Sequence, residues 1–378
     1  MEPMTQLSRQ IREEARRLGF LRIGFAAAGK SEAATGLRAW LERGYQGTMD
    51  WMGRDPAQRT DPRRLFPDAR TVISVAMSYH SGEEPSADPL EGAISRYAWG
   101  GDYHELLRER MQLLLAFIQK QSRGARGKLC VDSSPIHEKA WAARSGVGWQ
   151  GKHSNTIVKG AGCWIFLGEI LVNRRLINDA PALDHCGSCT RCIDVCPTVA
   201  IVEPYVVDSR LCISYLTIEL RGPIPEPLRA SLGNRIFGCD DCLDVCPWNR
   251  FQKPTPEKRF LPRPENRNPG LGDLANLTAE EFRERFRGSP VQRARYDGFL
   301  RNVAVALGNS ASGKAVVPLK RLLHHDSPLV RSHAAWALGR LSAEEACLAL
   351  EQAGQEEPDP LVRAEIDRAL ETGRVARL

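Results

Sequence analysis

The stretch Cys186–Pro197 reads CGSCTRCIDVCP and packs four cysteines into eleven residues, closed by a proline. Its spacing is C-x2-C-x2-C-x3-C-P. A second run, Cys239–Pro247, reads CDDCLDVCP and repeats the end of the pattern as C-x2-C-x3-C-P. In bacterial two-cluster iron–sulfur modules the first three thiolates of such a run hold one cubane and the fourth reaches across to the other. The ligand count then closes. Cys186, Cys189 and Cys192 take Cys246 as their distant fourth ligand. Cys239 and Cys242 take Cys196, and Cys212, in RLCISYL, fills the remaining place. Two [4Fe-4S] clusters result, a wire for single electrons. Structural zinc is the competing account, but zinc modules bring cysteines as separated C-x2-C pairs. The other three cysteines, Cys130, Cys163 and Cys347, lie in apolar segments and read as core residues.

The 378 residues, 42% of them hydrophobic, suffice for two or three domains with cores. The opening MEPMTQLSRQIREEARRLGF reads as a charged amphipathic helix without the apolar run of a signal peptide. No stretch approaches the roughly eighteen apolar residues of a membrane span. A cytoplasmic protein follows, and thiols there are kept reduced, which again favours metal over disulfides. The net charge of +6 is compatible with a polyanionic partner.

Outward from the cysteines the chain divides into four parts. Residues 1–175 read as mixed α/β. TVISVAMSY (Thr71–Tyr79), KLCVD (Lys128–Asp132) and CWIFLGEILVN (Cys163–Asn173) are strand candidates. Asp102–Lys120 has helical periodicity, with Leu106, Leu107, Leu113, Leu114 and Phe117 as its apolar stripe. Residues 176–250 form the ferredoxin-like two-cluster module. Residues 251–295 are a basic Pro/Arg-rich connector, too rich in proline for regular structure. In residues 296–378, LRNVAVALGNS, VRSHAAWALGRL and VRAEIDRALE recur about every thirty residues, and DSPLVR is echoed by PDPLVR. This is the mark of a HEAT-like helical array, which presents binding surface; a plain helical bundle is the alternative.

The electrons need an endpoint in the first part. No G-x-G-x-x-G opens a helix after a strand, so a Rossmann site is not supported. Asp102–His104 matches the start of the Asp-x-His-x-x-Gly signature of histidine-ligated cobalamin, but Leu107 stands at the glycine, and His104 reads as an ordinary helix residue. In LCVDSSPIHEKAWAARSGVGWQGKHSNTIV (Leu129–Val158) a strand ends at Asp132 and a helix follows, with Ser134 suited to the N-cap and Pro135 to the first helical position. Asp132 is then left at the strand's C-terminal edge, where α/β folds place ligands.

The VDSSP turn, the R-x-G-x-G-W-x-G-K run at Arg144–Lys152, the cysteine module and the terminal repeats stand in the order found in epoxyqueuosine reductases. The chain resembles that family over nearly its whole length. The resemblance implies reduction of epoxyqueuosine to queuosine at the wobble position of tRNA, with cobalamin as cofactor. It implies that Asp132 is the proton donor. The departing epoxide oxygen must be protonated, and a carboxylic acid does this near neutral pH only when its surroundings favour the neutral form. Cobalamin contacts carried over are Arg59, Ser95, Thr156 and Leu167. The resemblance further implies that Ser214, Asp240 and Asp241 lie between cluster and corrin, with Cys239 also beside the cofactor. The resemblance also implies cobalt without a lower histidine ligand, an external low-potential electron donor, and a monomer.

The connector and first repeat carry Arg250, Lys253, Lys258, Arg259, Arg263, Arg267, Arg283, Arg285, Arg287, Arg293, Arg295 and Arg301, charge suited to phosphates. Trp248, Phe251 and Phe260 are candidates for stacking on splayed bases, and Arg221 is a further candidate phosphate contact. A solvated linker is the plainer account of this charge. A small-molecule reductive dehalogenase and a non-enzymatic two-cluster electron carrier are the competing functions; the first leaves the repeats and basic connector without a use, the second the N-terminal domain.

Overall fold

The computed structural model describes residues 2–341 and 343–375; residues 1, 342 and 376–378 lie outside them. The chain forms two compact units, each built from three segments. The first is Met1–Gly82, Asp102–Ser209 and Asp241–Leu261; the second is Glu83–Gly101, Arg210–Asp240 and Pro262–Leu378. Both cysteine runs therefore contribute to the first unit, while Cys212 and Cys239 fall in the second.

In the first unit, helix α1 (Glu2–Arg17) precedes a four-stranded sheet of β1 (Arg22–Ala27), β2 (Thr71–Ser78), β3 (Gly127–Cys130) and β4 (Ile165–Val172). The order is β1-β2-β4-β3, and every neighbouring pair is antiparallel. The central β2 and β4 are buried along nearly their whole length. Their sequences therefore read as apolar runs, with no polar alternation. Because the sheet is antiparallel, the strand-edge rule for ligands in parallel α/β sheets does not apply here; Asp132 is placed by a turn.

Helix α2 (Tyr103–Gln121) begins at Asp102, whose side chain accepts the His104 N–H at 3.0 Å. Its buried stripe is Leu106, Leu107, Met111, Leu114, Leu115 and Ile118. The 3.6-residue period through Leu107, Met111, Leu114 and Ile118 turns Leu113 out to solvent and leaves Phe117 at the edge, correcting the stripe read from sequence. Helix α3 (Glu138–Arg144) packs with its fully buried Trp141 against Ala26, Val72, Cys130 and Leu171. It starts later than Ser134 and Pro135 suggested, with His137 at the cap position. The intervening residues form the turn that carries Asp132.

In the second unit, helix α4 (Ile213–Ile218) follows Cys212, and the repeats supply α5 (Tyr296–Asn309), α6 (Val316–Leu322), α7 (Pro328–Leu341), α8 (Glu344–Glu356) and α9 (Pro360–Val375). The recurring Ala-Leu-Gly explains their stacking. A Cβ on Gly308 would lie 2.7 Å from the Ala337 Cα, and one on Gly339 2.8 Å from the Ala369 Cα. Each glycine thus lets the next repeat's backbone close in. Arg301, expected among the phosphate contacts, is only 1% exposed. Its guanidinium donates to the carbonyls of Leu216 at 2.6 Å, Leu220 at 3.0 Å and Gly222 at 2.6 Å. Asn302 donates to the Thr217 and Ile236 carbonyls, each at 2.8 Å. A buried cation is tolerated because carbonyl dipoles replace its water, and the result fastens the array to the segment that follows Cys212.

The connector also departs from expectation. It contains short helices at Leu271–Ala275 and Ala279–Arg285, the latter started by a capping box in which Thr278 and Glu281 exchange hydrogen bonds. That pattern overrides the proline content.

Candidate active site and cluster pocket

The first unit holds a cavity of about 140 Å³ whose lining includes Cys186, Cys189, Cys192 and Cys246, together with Lys152, His153, His185 and Trp248. The donor set, four thiols around one small cavity, fits a cubane. The surrounding chain explains how the loop is held. The Lys152 ammonium donates to the Gly187 carbonyl at 2.7 Å and the Cys189 carbonyl at 2.9 Å, pinning the first cysteine turn. Trp149 and Trp248 meet edge to face at 4.9 Å. The nearby Cys163 thiol and, after it, His153 favour the Cys246 thiolate against burial, bringing it down to about 5. Cys163 itself is buried, its thiol 3.1 Å from Asn249 Oδ1. Cys130 and Cys347 are likewise buried.

Asp132 lies just beyond β3, in the left-handed region at φ +41°. Its Oδ2 is 2.9 Å from His104 Nε2, and His104 Nδ1 is 2.7 Å from Asp102 Oδ1. Burial alone would push His104 down, but its bonds to Asp102 and Asp132 outweigh this and hold the imidazolium up to about 9. The hydrogen bond from His104 in turn keeps the Asp102 carboxyl below its usual range. His104 is therefore not an ordinary helix residue. The D-x-H spacing at a helix start was the available signal: an N-cap aspartate fixes the ring of a histidine two residues on. Glu138, which accepts the Asp132 N–H, was missed because nothing in its sequence context separates it from a first-turn acid.

The other candidates divide between the units. In the first, Arg59 lies in the short helix Pro56–Thr60, its guanidinium over the Trp51 ring at 5.1 Å and its carbonyl accepting the His137 N–H at 3.0 Å, close in chain to the Asp132 turn. Thr156 is buried, and its hydroxyl has no partner among the described residues. Leu167 is buried in β4, and Asp241 opens the short helix Asp241–Asp244. In the second, Ala93–Ile94 pairs in parallel with Arg235–Phe237, which brings Ser95 and Asp240 together. Ser95 Oγ and the Arg96 N–H, the latter at 2.8 Å, both donate to the Asp240 carboxylate. Gly238 is obligatory there, at φ +76° with a Cβ that would fall 2.5 Å from the Ser95 Cβ. Ser214 is half-buried in α4, two residues after Cys212, and Cys239 immediately precedes Asp240.

Of the nucleic-acid candidates, Arg221 donates to the Ala294 carbonyl at 3.2 Å and lies 4.0 Å from the Glu219 carboxylate; burial, and then Arg295, disfavour its charge, while Glu219 favours it. Several other cations are occupied by acids: Arg259 with Glu109 at 2.9 Å, Arg267 with Glu83 at 2.7 Å, Arg293 with Glu219 at 2.9 Å. Phe260 is buried against Phe166, so it does not stack on bases; Phe251 is exposed.

A relative from Xanthomonas campestris pv. campestris named epoxyqueuosine reductase is 43% identical over 342 residues, covering 89% of this chain and 96% of its own. The chain belongs to the epoxyqueuosine reductase family, a family of oxidoreductases. The epoxyqueuosine reductase of Escherichia coli K12 is 42% identical over 350 residues, covering 91% and 92%. Family models match as epoxyqueuosine reductase QueG, DUF1730 at residues 59–133, as a 4Fe-4S double cluster binding domain at 185–249, and as HEAT repeats at 293–371. Among solved structures, an epoxyqueuosine reductase with a tRNA-Tyr epoxyqueuosine-modified stem loop superposes with a TM-score of 0.92 at 32% identity, covering 98% of this chain and 99% of that one. The epoxyqueuosine reductase of Bacillus subtilis with its catalytic aspartate loop swung out of the active site gives 0.90 at 31% identity, covering 97% and 99%. Among the described residues of this family member, no helix is long and apolar enough to cross a membrane.

Proposed function

We propose that this protein reduces epoxyqueuosine to queuosine at the wobble position of tRNA in the cytoplasm, using cobalamin and two [4Fe-4S] clusters fed by an external donor. The observation that carries the chemistry is the Asp102–His104–Asp132 chain, an exposed carboxyl backed by a protonated imidazole. Opening the epoxide to an alkene consumes two electrons and two protons and releases water. The imidazolium beside Asp132 favours its carboxylate rather than the neutral acid expected from the sequence. The proton therefore originates on His104 Nε2 and passes along the 2.9 Å hydrogen bond through Asp132 Oδ2 to the departing oxygen. Asp102 keeps the ring turned for that transfer.

Cobalamin, when bound, supplies low-valent cobalt as the two-electron reductant of the epoxide. The unpartnered Thr156 hydroxyl suits a cofactor rim rich in amides, and Arg59, Leu167 and Asp241 are proposed beside it. Ser95, Ser214, Cys239 and Asp240 are proposed from the second unit. Cys186, Cys189, Cys192 and Cys246 are proposed to hold the first cluster. Cys196, Cys212, Cys239 and Cys242 are proposed for the second on their spacing. The protein works as a monomer in this reading.

The tRNA surface is proposed at Arg221 and Arg295, with support from the stem-loop complex of the solved relative. Arg221→Ala is expected to weaken binding of an anticodon stem loop and to reduce the slope of log K against log salt by about 0.7–0.9; an unchanged slope removes Arg221 from the interface. The function itself is tested by nucleoside mass spectrometry on epoxyqueuosine-containing tRNA, incubated anaerobically with reconstituted protein, cobalamin and a strong reductant. Cobalamin-dependent conversion to queuosine is the expected result, and no conversion with both clusters intact overturns it.

A further inference from the structure

The turn that carries Asp132 is held by a residue with no part in the reaction above. Asp132 lies at φ +41°, in the left-handed region, which aspartate tolerates better than most L-residues but which still costs a non-glycine residue energy unless local bonds hold it. Its backbone N–H donates to the Glu138 carboxyl at the first position of α3. That helix is itself anchored by Trp141, which is fully buried against the sheet. Glu138 therefore joins a fixed element to the reactive turn.

Beneath it lies Glu169, in the middle of β4, cross-strand from Cys130 and Ser74. Glu169 is fully buried, and neither carboxyl oxygen has a partner among the described residues. Burial, and then the proximity of Glu138, push it well above its usual range. Burial, and then the Asp132 carboxylate, push Glu138 up to about 8. The shift favours the uncharged acid at Glu138, so what it offers Asp132 is a neutral carbonyl-type acceptor. The swung-out loop of the Bacillus subtilis relative shows that a family member's catalytic aspartate loop has a second position.

We propose that Glu138 is a positioning residue, a latch whose acceptor oxygen holds the Asp132 turn inward with Oδ2 against His104. The latch rests on the reading of Asp132 as proton donor, and the test separates the two. Glu138→Ala removes the acceptor; Glu138→Gln keeps it as a neutral amide oxygen of nearly the same shape. Hydrogen exchange on the full chain, followed in peptides covering residues 129–137, reads the turn without any cofactor. Glu138→Ala is expected to speed exchange at the turn roughly tenfold, the scale of one lost hydrogen bond, while peptides of β2 and β4 exchange as before. In the loaded enzyme kcat falls by a similar factor with KM for tRNA little changed, and Glu138→Gln restores both.

Unchanged exchange at the turn in Glu138→Ala overturns the latch. So does an equal rise in Glu138→Gln, because the amide retains the acceptor. Faster exchange in Glu138→Ala alone, with turnover unaffected, supports the latch and instead removes Asp132 from the proton-donor role.

Discussion

Asp132→Asn is expected to lower kcat by about 10²–10⁴-fold, the range over which a positioned general acid acts, while iron content and cobalamin binding stay at the parent level. Asparagine keeps the size of the side chain and leaves an oxygen to accept from His104, so the turn has no new reason to move. It has no acidic proton to give the departing oxygen. Single-turnover conversion of epoxyqueuosine tRNA measures this, and near-normal conversion in the variant takes Asp132 out of the mechanism. The pH profile adds a second check. His104 is held up to about 9, above its usual 6.5, by Asp102 and Asp132. Its charged form, and the stability that form contributes, is fully present below about pH 6.5. Both are lost as pH rises through about 9. An alkaline decline in kcat near that value is expected, and His104→Gln abolishes it. If the decline persists unchanged in His104→Gln, another group sets it.

The readable parts of this chain are those in which one residue type at one spacing has a single physical meaning. Two cysteine runs ending in Cys-Pro announce the double-cluster domain that the family comparison finds at residues 185–249. The Ala-Leu-Gly period announces the repeats, and Gly308 and Gly339 show why the glycine recurs. The strands β2 and β4 are legible because both faces are buried. What fails has competing readings. Arg301 looks like any arginine beside a basic connector, and only the three carbonyls around it reveal a structural cation. The helix start at Ser134–Pro135 obeys a real local rule, yet the turn bearing Asp132 extends further, and α3 opens at Glu138. The one motif that His104 approaches lacks its glycine in this chain. Its role comes instead from a contact with Asp132, twenty-eight residues away. Glu138 and Glu169 carry no sequence signal, because their meaning lies in burial across β4 and α3.

Cys246→Ala is expected to halve the iron content of the anaerobically reconstituted protein and abolish conversion. The residue is the sole cysteine that the second run contributes to the lining shared with Cys186, Cys189 and Cys192. A cubane is held by four thiolates, and with only three the whole cluster, half of the iron in the pair, is not retained. The structure also supplies two rivals for that place. Cys163 and His153 offer ligand atoms within 4.8 Å of the Cys246 sulfur and of each other, so either is close enough to step in for the missing thiolate. His153 reaches the cavity wall, whereas Cys163 is absent from that wall and engaged with Asn249. A full complement of iron in Cys246→Ala, falling to half only when Cys163 is also replaced, would make Cys163 the fourth ligand and Cys246 its hydrogen-bond partner. Half the iron in the single variant, and no further loss in the double, assigns the ligand to Cys246. Cys163 then stays one step back from the metal, its thiol engaged with Asn249.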